Sequence, residues 1–117
     1  MATLIAPPVA AVPEVSIAGI PVGPRHPPFL LAEIGINHNG DPDLAIAMLH
    51  AAKAAGAGAA KFQAFTPDRL FNRAINPKAV ELFAEWALSR DDFRRIKEEA
   101  DRIDLPFLCT PFDRDWV

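Results

Sequence analysis

The stretch that decides the fold is LLAEIGINHNG, residues 30–40. It begins as a near-continuous apolar run after the proline pair at residues 27 and 28, and such runs are typical of strands buried on both faces of a parallel sheet. Glu33 interrupts the run, and the polar, turn-forming residues Asn37 to Gly40 end it. A carboxylate near the end of a buried strand, followed by such a loop, indicates that this strand end belongs to a functional site.

Two later stretches have the same apolar character, AAKFQAF at residues 59–65 and LPFLCTPFD at residues 105–113. A helical pattern lies between each stretch and the one before it. A further short helix is predicted over residues 78–88, and prolines and asparagines predict a loop over residues 66–78. The order strand, helix, strand, helices, strand indicates an α/β fold with a parallel sheet.

The two main helices have recognisable ends. Asp41 is placed to cap the first helix, Pro42 suits its first position, and Gly56 ends it. Ser89 is the predicted cap of the helix before the third strand. Asp92, three residues further on, completes a capping-box arrangement.

The N-terminal part of the chain has a different character. Seven of the twelve prolines lie in the first 28 residues, so residues 1–14 predict a disordered, proline-rich tail. The tail carries no lysine or arginine, which favours a leader without structure over a signal peptide. Residues 15–23, VSIAGIPVG, predict a small β-hairpin around Ala18-Gly19. Because the third strand lacks a following helix and the sheet has an open edge, we expect residues 15–117 to be part of a larger fold.

Composition excludes several classes of partner. The 117-residue chain has a net charge of -3 and no basic stripe, so nucleic acid is not an expected partner. No apolar run approaches the roughly 20 residues that span a bilayer, so we expect no membrane association. The one cysteine, Cys109, cannot form an intrachain disulfide, which is compatible with the cytoplasmic location that we expect.

Polar side chains stand at the ends of all three predicted strands, where parallel α/β proteins bind ligands. They are Glu33 on the first strand, Lys61 and Gln63 on the second, and Cys109, Thr110 and Asp113 on or after the third. An ammonium group beside a hydroxyl group suits an anion such as a phosphate.

Each candidate also has a purely structural interpretation. Glu33 and Lys61 can simply pair with each other, and Thr110 can supply a turn hydroxyl before Pro111. Cys109 is expected to be a small buried residue. His38 is expected to form hydrogen bonds within its loop, and the three histidines lack the spacing of a metal site, so no metal site is predicted within the chain.

Three motifs together resemble the N-terminal part of the N-acetylneuraminate (sialic acid) synthase family. They are AEIGINHNGD at residues 32–41, AAKAAGAGAAKFQAF at residues 51–65 and LPFLCTPFD at residues 105–113. The resemblance covers roughly residues 15–117 and implies the first three βα units of a TIM (β/α)8 barrel, preceded by the short hairpin. Members of this family condense phosphoenolpyruvate with an N-acylated mannosamine-type sugar and release phosphate.

The resemblance also implies roles for individual residues. Lys61 and Thr110 match residues that bind phosphoenolpyruvate, and Gln63 matches a sugar contact. Glu33 matches the strand-end carboxylate near the reacting centre, so it is the expected catalytic residue and is expected to leave Lys61 free for the ligand. Either Asn72 or Asn76 is a candidate for a further sugar contact.

The family uses a divalent metal, Mn²⁺ or Mg²⁺, whose histidine ligands lie on later strands, outside this chain. The resemblance further implies a homodimer for the full-length protein and an inactive isolated chain. Two alternatives stay open: another barrel that uses phosphoenolpyruvate or a sugar phosphate, and a binding module that reuses the fold without catalysis.

Overall fold

The computed structural model describes residues 13–117, so most of the predicted tail lies outside the described residues. Strands β1 (Val15–Ile17) and β2 (Ile20–Val22) form the predicted antiparallel hairpin. Its two turn residues, Ala18 and Gly19, both have positive φ, at 49° and 81°, as the two-residue turns that match the twist of a hairpin require.

A separate three-stranded sheet contains all three predicted apolar strands. They are β3 (Leu31–Gly35), β4 (Ala59–Ala64) and β5 (Phe107–Pro111). The spatial order is β3-β4-β5, and both pairings are parallel. The prediction of a parallel α/β arrangement is therefore confirmed.

Helix α1 (Pro42–Ala54) begins and ends as its sequence predicts. The Asp41 carboxylate accepts hydrogen bonds from the backbone N–H groups of Asp43 and Leu44, at 2.8 and 3.2 Å. After the helix, Gly56 adopts φ +84°, and the backbone N–H of Ala57 donates to the carbonyl of Ala52. This pattern is the Schellman motif, which satisfies the last carbonyls of a helix.

Three helices lie between β4 and β5, and the shortest of them was not predicted. Helix α3 (Pro77–Trp86) and helix α4 (Arg90–Arg102) match the predictions, and Ser89 and Asp92 form the reciprocal capping box. The predicted loop at residues 66–78 is partly wrong, because Pro67–Leu70 forms a single helical turn, α2. Its formation follows from Pro67 at the first helical position and from the Thr66 carbonyl, which accepts the backbone N–H groups of residues 69 and 70.

The hydrophobic core lies between one face of the sheet and helices α1 and α4. Its largest fully buried apolar side chains are Leu49, Phe62, Ile96 and Leu105. Phe62 stacks on Phe107 of the neighbouring strand, with ring centroids 5.3 Å apart. Because successive strand residues point to opposite faces, Lys61 and Gln63 lie on the face of β4 that turns away from these helices.

Candidate functional site

The strand register places the four predicted site residues on one face of the sheet. Glu33 of β3 is paired with Lys61 of β4, and Gln63 of β4 is paired with Thr110 of β5. Paired residues of neighbouring strands project from the same face, opposite to the buried Phe62. The side chains predicted from three separate segments therefore lie together on one face of the parallel sheet, with Glu33 and Lys61 near the middle of their strands and Gln63 and Thr110 near the carboxyl ends.

Glu33 and Lys61 form an ion pair. The Lys61 Nζ lies 2.6 Å from Glu33 Oε2, and the two side chains are 31% and 48% exposed. The expectation that Glu33 leaves Lys61 free is therefore wrong for this structure, and the pairing interpretation describes the contact that is seen. Solvent screens a pair this exposed, so its contribution to the free energy of folding is about 0–1 kcal/mol.

A β-bulge shapes the strand end beside this pair. The register shifts between Glu33 and Gly35, so that Gly35 is paired with Phe62, and Gly35 adopts φ +58°. A Cβ atom at Gly35 would lie 3.6 Å from Glu33 Oε1 and 3.7 Å from Gln63 Nε2. Gly35 thus lies between the carboxylate and the amide. β-Bulges often change the direction of side chains near active sites. Gly35, directly after Ile34, was the only sequence feature that could have predicted this bulge.

His38 is buried within the loop that follows β3. Its Nδ1 accepts a hydrogen bond from the backbone N–H of Gly40 at 3.1 Å, so the prediction of a hydrogen bond within the loop is confirmed. The Nε2 atom is buried without a hydrogen-bond partner among residues 13–117, and the ring lies 6.1 Å from that of Phe62. Burial lowers the pKa of His38, although the Gly35 backbone and Asp41 act in the opposite direction. The imidazole is therefore neutral near pH 7.

Asp113 joins the loops that follow β4 and β5. Its Oδ2 accepts the backbone N–H of Thr66 at 2.6 Å, and its Oδ1 accepts that of Asp115 at 3.0 Å. The backbone N–H of Phe112 also donates to the carbonyl of Ala64 at 2.9 Å. These bonds hold two of the polar strand ends at a fixed separation.

The prediction that Cys109 is buried is wrong, because the side chain is exposed. It lies on β5, which is an edge strand of the described sheet and is covered less than β4. Partial burial nevertheless raises the pKa of the Cys109 thiol. A raised thiol pKa disfavours the thiolate, so the Cys109 thiol is not activated as a nucleophile.

The two asparagines considered as sugar contacts both form local hydrogen bonds. The Asn72 side-chain oxygen accepts the backbone N–H of Ala74 at 2.9 Å. The Asn76 side chain caps α3 by accepting the backbone N–H of Ala79 at 3.1 Å. Both residues are therefore explained by the turn and the helix start that they stabilise.

Within residues 13–117, no three side chains of histidine, cysteine, aspartate or glutamate come together in a way that would hold a metal ion. The divalent metal that the resemblance implies stays a prediction. No helix in the same part of the chain combines the length and the apolar character needed to cross a membrane.

The parallel strands, with helices on one face and polar side chains on the other, indicate a class of fold, the TIM barrel, of which this chain contains the first three strands. Comparison with solved structures agrees. A crystal structure of N-acetylneuraminic acid (sialic acid) synthetase from Leptospira borgpetersenii, in complex with citrate, matches with a TM-score of 0.79 and 35% sequence identity. The match covers 88% of this chain and 35% of that chain.

The sequence model of the NeuB family matches residues 48–117, and the chain belongs to that family. It is 35% identical to N,N'-diacetyllegionaminic acid synthase of Legionella pneumophila, over 76% of this chain and 28% of that protein. It is 33% identical to human N-acetylneuraminate-9-phosphate synthase, over 79% of this chain and 29% of that protein. The chain thus spans less than a third of the length of these two relatives.

Proposed function

We propose that residues 15–117 form the phosphoenolpyruvate-binding side of a nonulosonic acid synthase. In the proposed reaction, C3 of phosphoenolpyruvate attacks the aldehyde carbon of an open-chain N-acylated mannosamine-type sugar. Water then adds to C2, and phosphate leaves. The observation that supports this proposal most is the position of the Lys61 ammonium group, which lies on the same face of the sheet as Gln63 and Thr110.

The charge of the substrate explains why Lys61 and Thr110 would bind it. Phosphoenolpyruvate carries close to three negative charges at neutral pH, and a lysine ammonium group offsets one of them. A neighbouring hydroxyl group can donate a hydrogen bond to a phosphate or carboxylate oxygen. Thr110 is next to Gln63 in the register, and Gln63 is two residues from Lys61 on the same face. The three side chains therefore offer one charged and two neutral donors to one ligand.

The Glu33–Lys61 contact suggests an exchange of partners when the anion binds. The two side chains are paired at 2.6 Å, and the pair is exposed enough to be replaced at little cost. An anion that takes Lys61 would release the Glu33 carboxylate toward the acceptor sugar. There Glu33 would accept a hydrogen bond from a sugar hydroxyl or move a proton, which is the catalytic role proposed for it.

A divalent ion, Mn²⁺ or Mg²⁺, would supply Lewis-acid polarisation of the aldehyde when bound. We propose, as the family resemblance implies, that its ligands lie on later strands, outside this chain. We propose further that the full-length protein is a cytoplasmic homodimer and that the isolated 117-residue chain has no turnover.

A chimeric enzyme tests the proposal. Residues 15–117 replace the matching segment of the Leptospira borgpetersenii synthetase, and phosphate release is measured with phosphoenolpyruvate and N-acetylmannosamine. We expect release that needs both substrates. Turnover with another aldehyde but not with the amino sugar would favour a different phosphoenolpyruvate-using barrel. A folded chimera without turnover would favour a binding module.

A further inference from the structure

An apolar cleft opens beside Gln63, outside the set of residues assigned to phosphoenolpyruvate. Its volume is about 210 Å³. Five of the six residues that line it are apolar, and the sixth is Gln63; the apolar ones are Phe65, Leu70, Phe71, Phe83 and Phe112. Because Gln63 projects from the same face as Lys61, the cleft adjoins the proposed substrate site.

Aromatic packing gives the cleft a defined wall. Phe83 of α3 packs edge-on against Phe71, with ring centroids 4.8 Å apart, and against Phe65 at 5.6 Å. Phe65 is only 5% exposed, so the base of the wall is held by the core. Trp86 lies behind Phe83, at 5.2 Å between ring centroids. Interlocked rings of this kind keep their positions better than flexible aliphatic side chains.

The lining determines which chemical group the cleft can accept. The Gln63 amide is the one polar lining group, and it can hydrogen-bond a hydroxyl or an amide at the mouth. The two charged side chains of the adjoining short helix form ion pairs at the surface, Asp68 with Arg73 and Arg69 with Asp115. None of the six lining residues carries a charge, so a phosphate group in the cleft would lose its hydration against phenylalanine rings without a cation in the lining, which is strongly unfavourable.

The volume limits the size of the group. Complete small-molecule pockets have volumes of roughly 300–1,000 Å³, so a cleft of about 210 Å³ suits one substituent rather than a whole sugar. Its position beside the strand ends fits a sugar that lies over Lys61 and Gln63 and directs one arm into the cleft.

We propose that this cleft is a specificity subsite that takes a methyl-bearing substituent of the acceptor sugar and excludes a phosphorylated one. This inference rests on the proposed function for the identity of the sugar. The methyl group has two possible sources, a deoxygenated terminal carbon of the sugar or the acyl end of an amide substituent. Both present the same chemistry to the cleft, with a polar group left for Gln63 at its mouth.

Substitutions at Leu70 test the subsite with little risk to folding, because Leu70 is half-buried at the end of a single helical turn. Leu70→Phe narrows the cleft and Leu70→Ala enlarges it. Leu82→Ala is the matched control, because Leu82 is 44% exposed on α3 and does not line the cleft. The three variants are made in the chimeric enzyme.

Two acceptor series separate the sources of the methyl group. One series varies carbon 6 of N-acetylmannosamine as methyl, hydroxymethyl or phosphate, and the other varies the acyl group as formyl, acetyl or propanoyl. We expect a preference of roughly 10- to 100-fold in kcat/KM either for the 6-methyl member of the first series or for the acetyl over the formyl member of the second. Leu70→Phe should abolish that preference with the KM for phosphoenolpyruvate unchanged. Efficient use of the 6-phosphate together with no preference in the acyl series, or equal effects of Leu70→Phe and Leu82→Ala in both series, would overturn the proposal.

A binding measurement keeps this test separate from the test of the proposed function. The 117-residue chain is titrated with N-acetylmannosamine and its 6-deoxy form, and the ring resonances of Phe71, Phe83 and Trp86 are followed by NMR. We expect shifts that are absent in Leu70→Phe. They should be larger for the 6-deoxy form if the terminal carbon enters the cleft, and equal for the two sugars if the acyl group enters it. Shifts without turnover in the chimera would contradict the proposed function alone. Turnover with no response to the Leu70 variants would contradict the subsite alone.

Discussion

Gly40 lies where the loop after β3 meets the last turn of α3, and alanine at this position should be far more damaging than alanine at Gly56. Both glycines have positive φ, +79° and +84°. A Cβ atom at Gly40 would lie 2.1 Å from the carbonyl oxygen of Glu85, whereas one at Gly56 would meet nothing within 4 Å. The two substitutions therefore share the backbone penalty, and only one of them adds a steric clash.

The magnitudes follow from these two contributions. Left-handed backbone costs an alanine about 1–2 kcal/mol, which is the whole expected loss for Gly56→Ala. The clash at Gly40 involves backbone rather than a flexible side chain, so relief requires the loop or helix α3 to move. Overpacking of this kind adds about 1–3 kcal/mol. Gly40→Ala should thus lose about 2–5 kcal/mol in the free energy of unfolding.

Urea denaturation of the 117-residue chain and its two variants measures the difference. With a urea m value of about 2 kcal/mol/M, the extra loss at Gly40 moves the midpoint by roughly 0.5–1.5 M beyond that of Gly56→Ala. If the parent chain has less stability than this loss, Gly40→Ala will show no cooperative transition while Gly56→Ala retains one. Equal midpoints for the two variants would refute the close approach of the loop to α3.

Three further outcomes are expected. Because burial lowers the pKa of His38 below its ordinary 6.5, the unfolded chain binds a proton at this histidine at a higher pH than the folded chain does. The free energy of unfolding should therefore be highest above about pH 6.5 and fall as the pH drops below it. His38→Asn keeps an acceptor for the Gly40 N–H and should lessen this fall in urea midpoints measured from pH 7.5 to 5. Hydrogen bonds from Arg102 and His50 hold the pKa of Glu99 at about 2, below its ordinary 4.5. Glu99→Gln should therefore lower the melting temperature relative to the parent chain above pH 4.5, and this difference should shrink as the pH falls toward 2. A difference that stays constant with pH would contradict the pairing. Leu30, Leu31 and Leu108 are 58%, 42% and 39% exposed, so the isolated chain should enhance the fluorescence of a dye for apolar surfaces. The fluorescence should stay unenhanced if another surface covers them.

Features that depend on neighbouring residues were predictable from the sequence. The cap at Asp41, the capping box at Ser89 and the turn at Ala18-Gly19 each require only a few consecutive residues, and all three are present. The three strands were predictable because each is an apolar run of strand length bounded by prolines or glycines. The position of Glu33, Lys61, Gln63 and Thr110 on one face followed from alternation along each strand.

Features that depend on distant parts of the chain were not predictable. The Glu33–Lys61 contact requires the register between two strands separated by α1, and the sequence offered pairing and separation as equal alternatives. Cys109 was predicted to be buried because cysteine usually is, but its exposure depends on what covers an edge strand. The single turn at Pro67–Leu70 is too short for a periodic pattern to reveal. The cleft beside Gln63 is formed by residues of β4, α2 and α3 and of the loops after β4, α2 and β5, so no continuous stretch of sequence predicts it.

The central claim is that Lys61 binds phosphoenolpyruvate and that Glu33 acts on the acceptor, and kinetics on two single variants and the double variant of the chimera test it most directly. The Glu33–Lys61 pair is exposed, so breaking it should change the free energy of unfolding by no more than about 1 kcal/mol. A large kinetic effect will therefore not come from unfolding.

We predict that Lys61→Ala lowers kcat/KM for phosphoenolpyruvate by roughly 30- to 4,000-fold, the equivalent of about 2–5 kcal/mol, with a much smaller change in the KM of the sugar. Glu33→Gln should lower kcat while phosphoenolpyruvate binding holds or tightens, because Lys61 loses its competing partner. The account is contradicted if both single variants mainly lower the melting temperature and the double variant regains the stability with near-normal kinetics, since the two residues would then be only a structural pair.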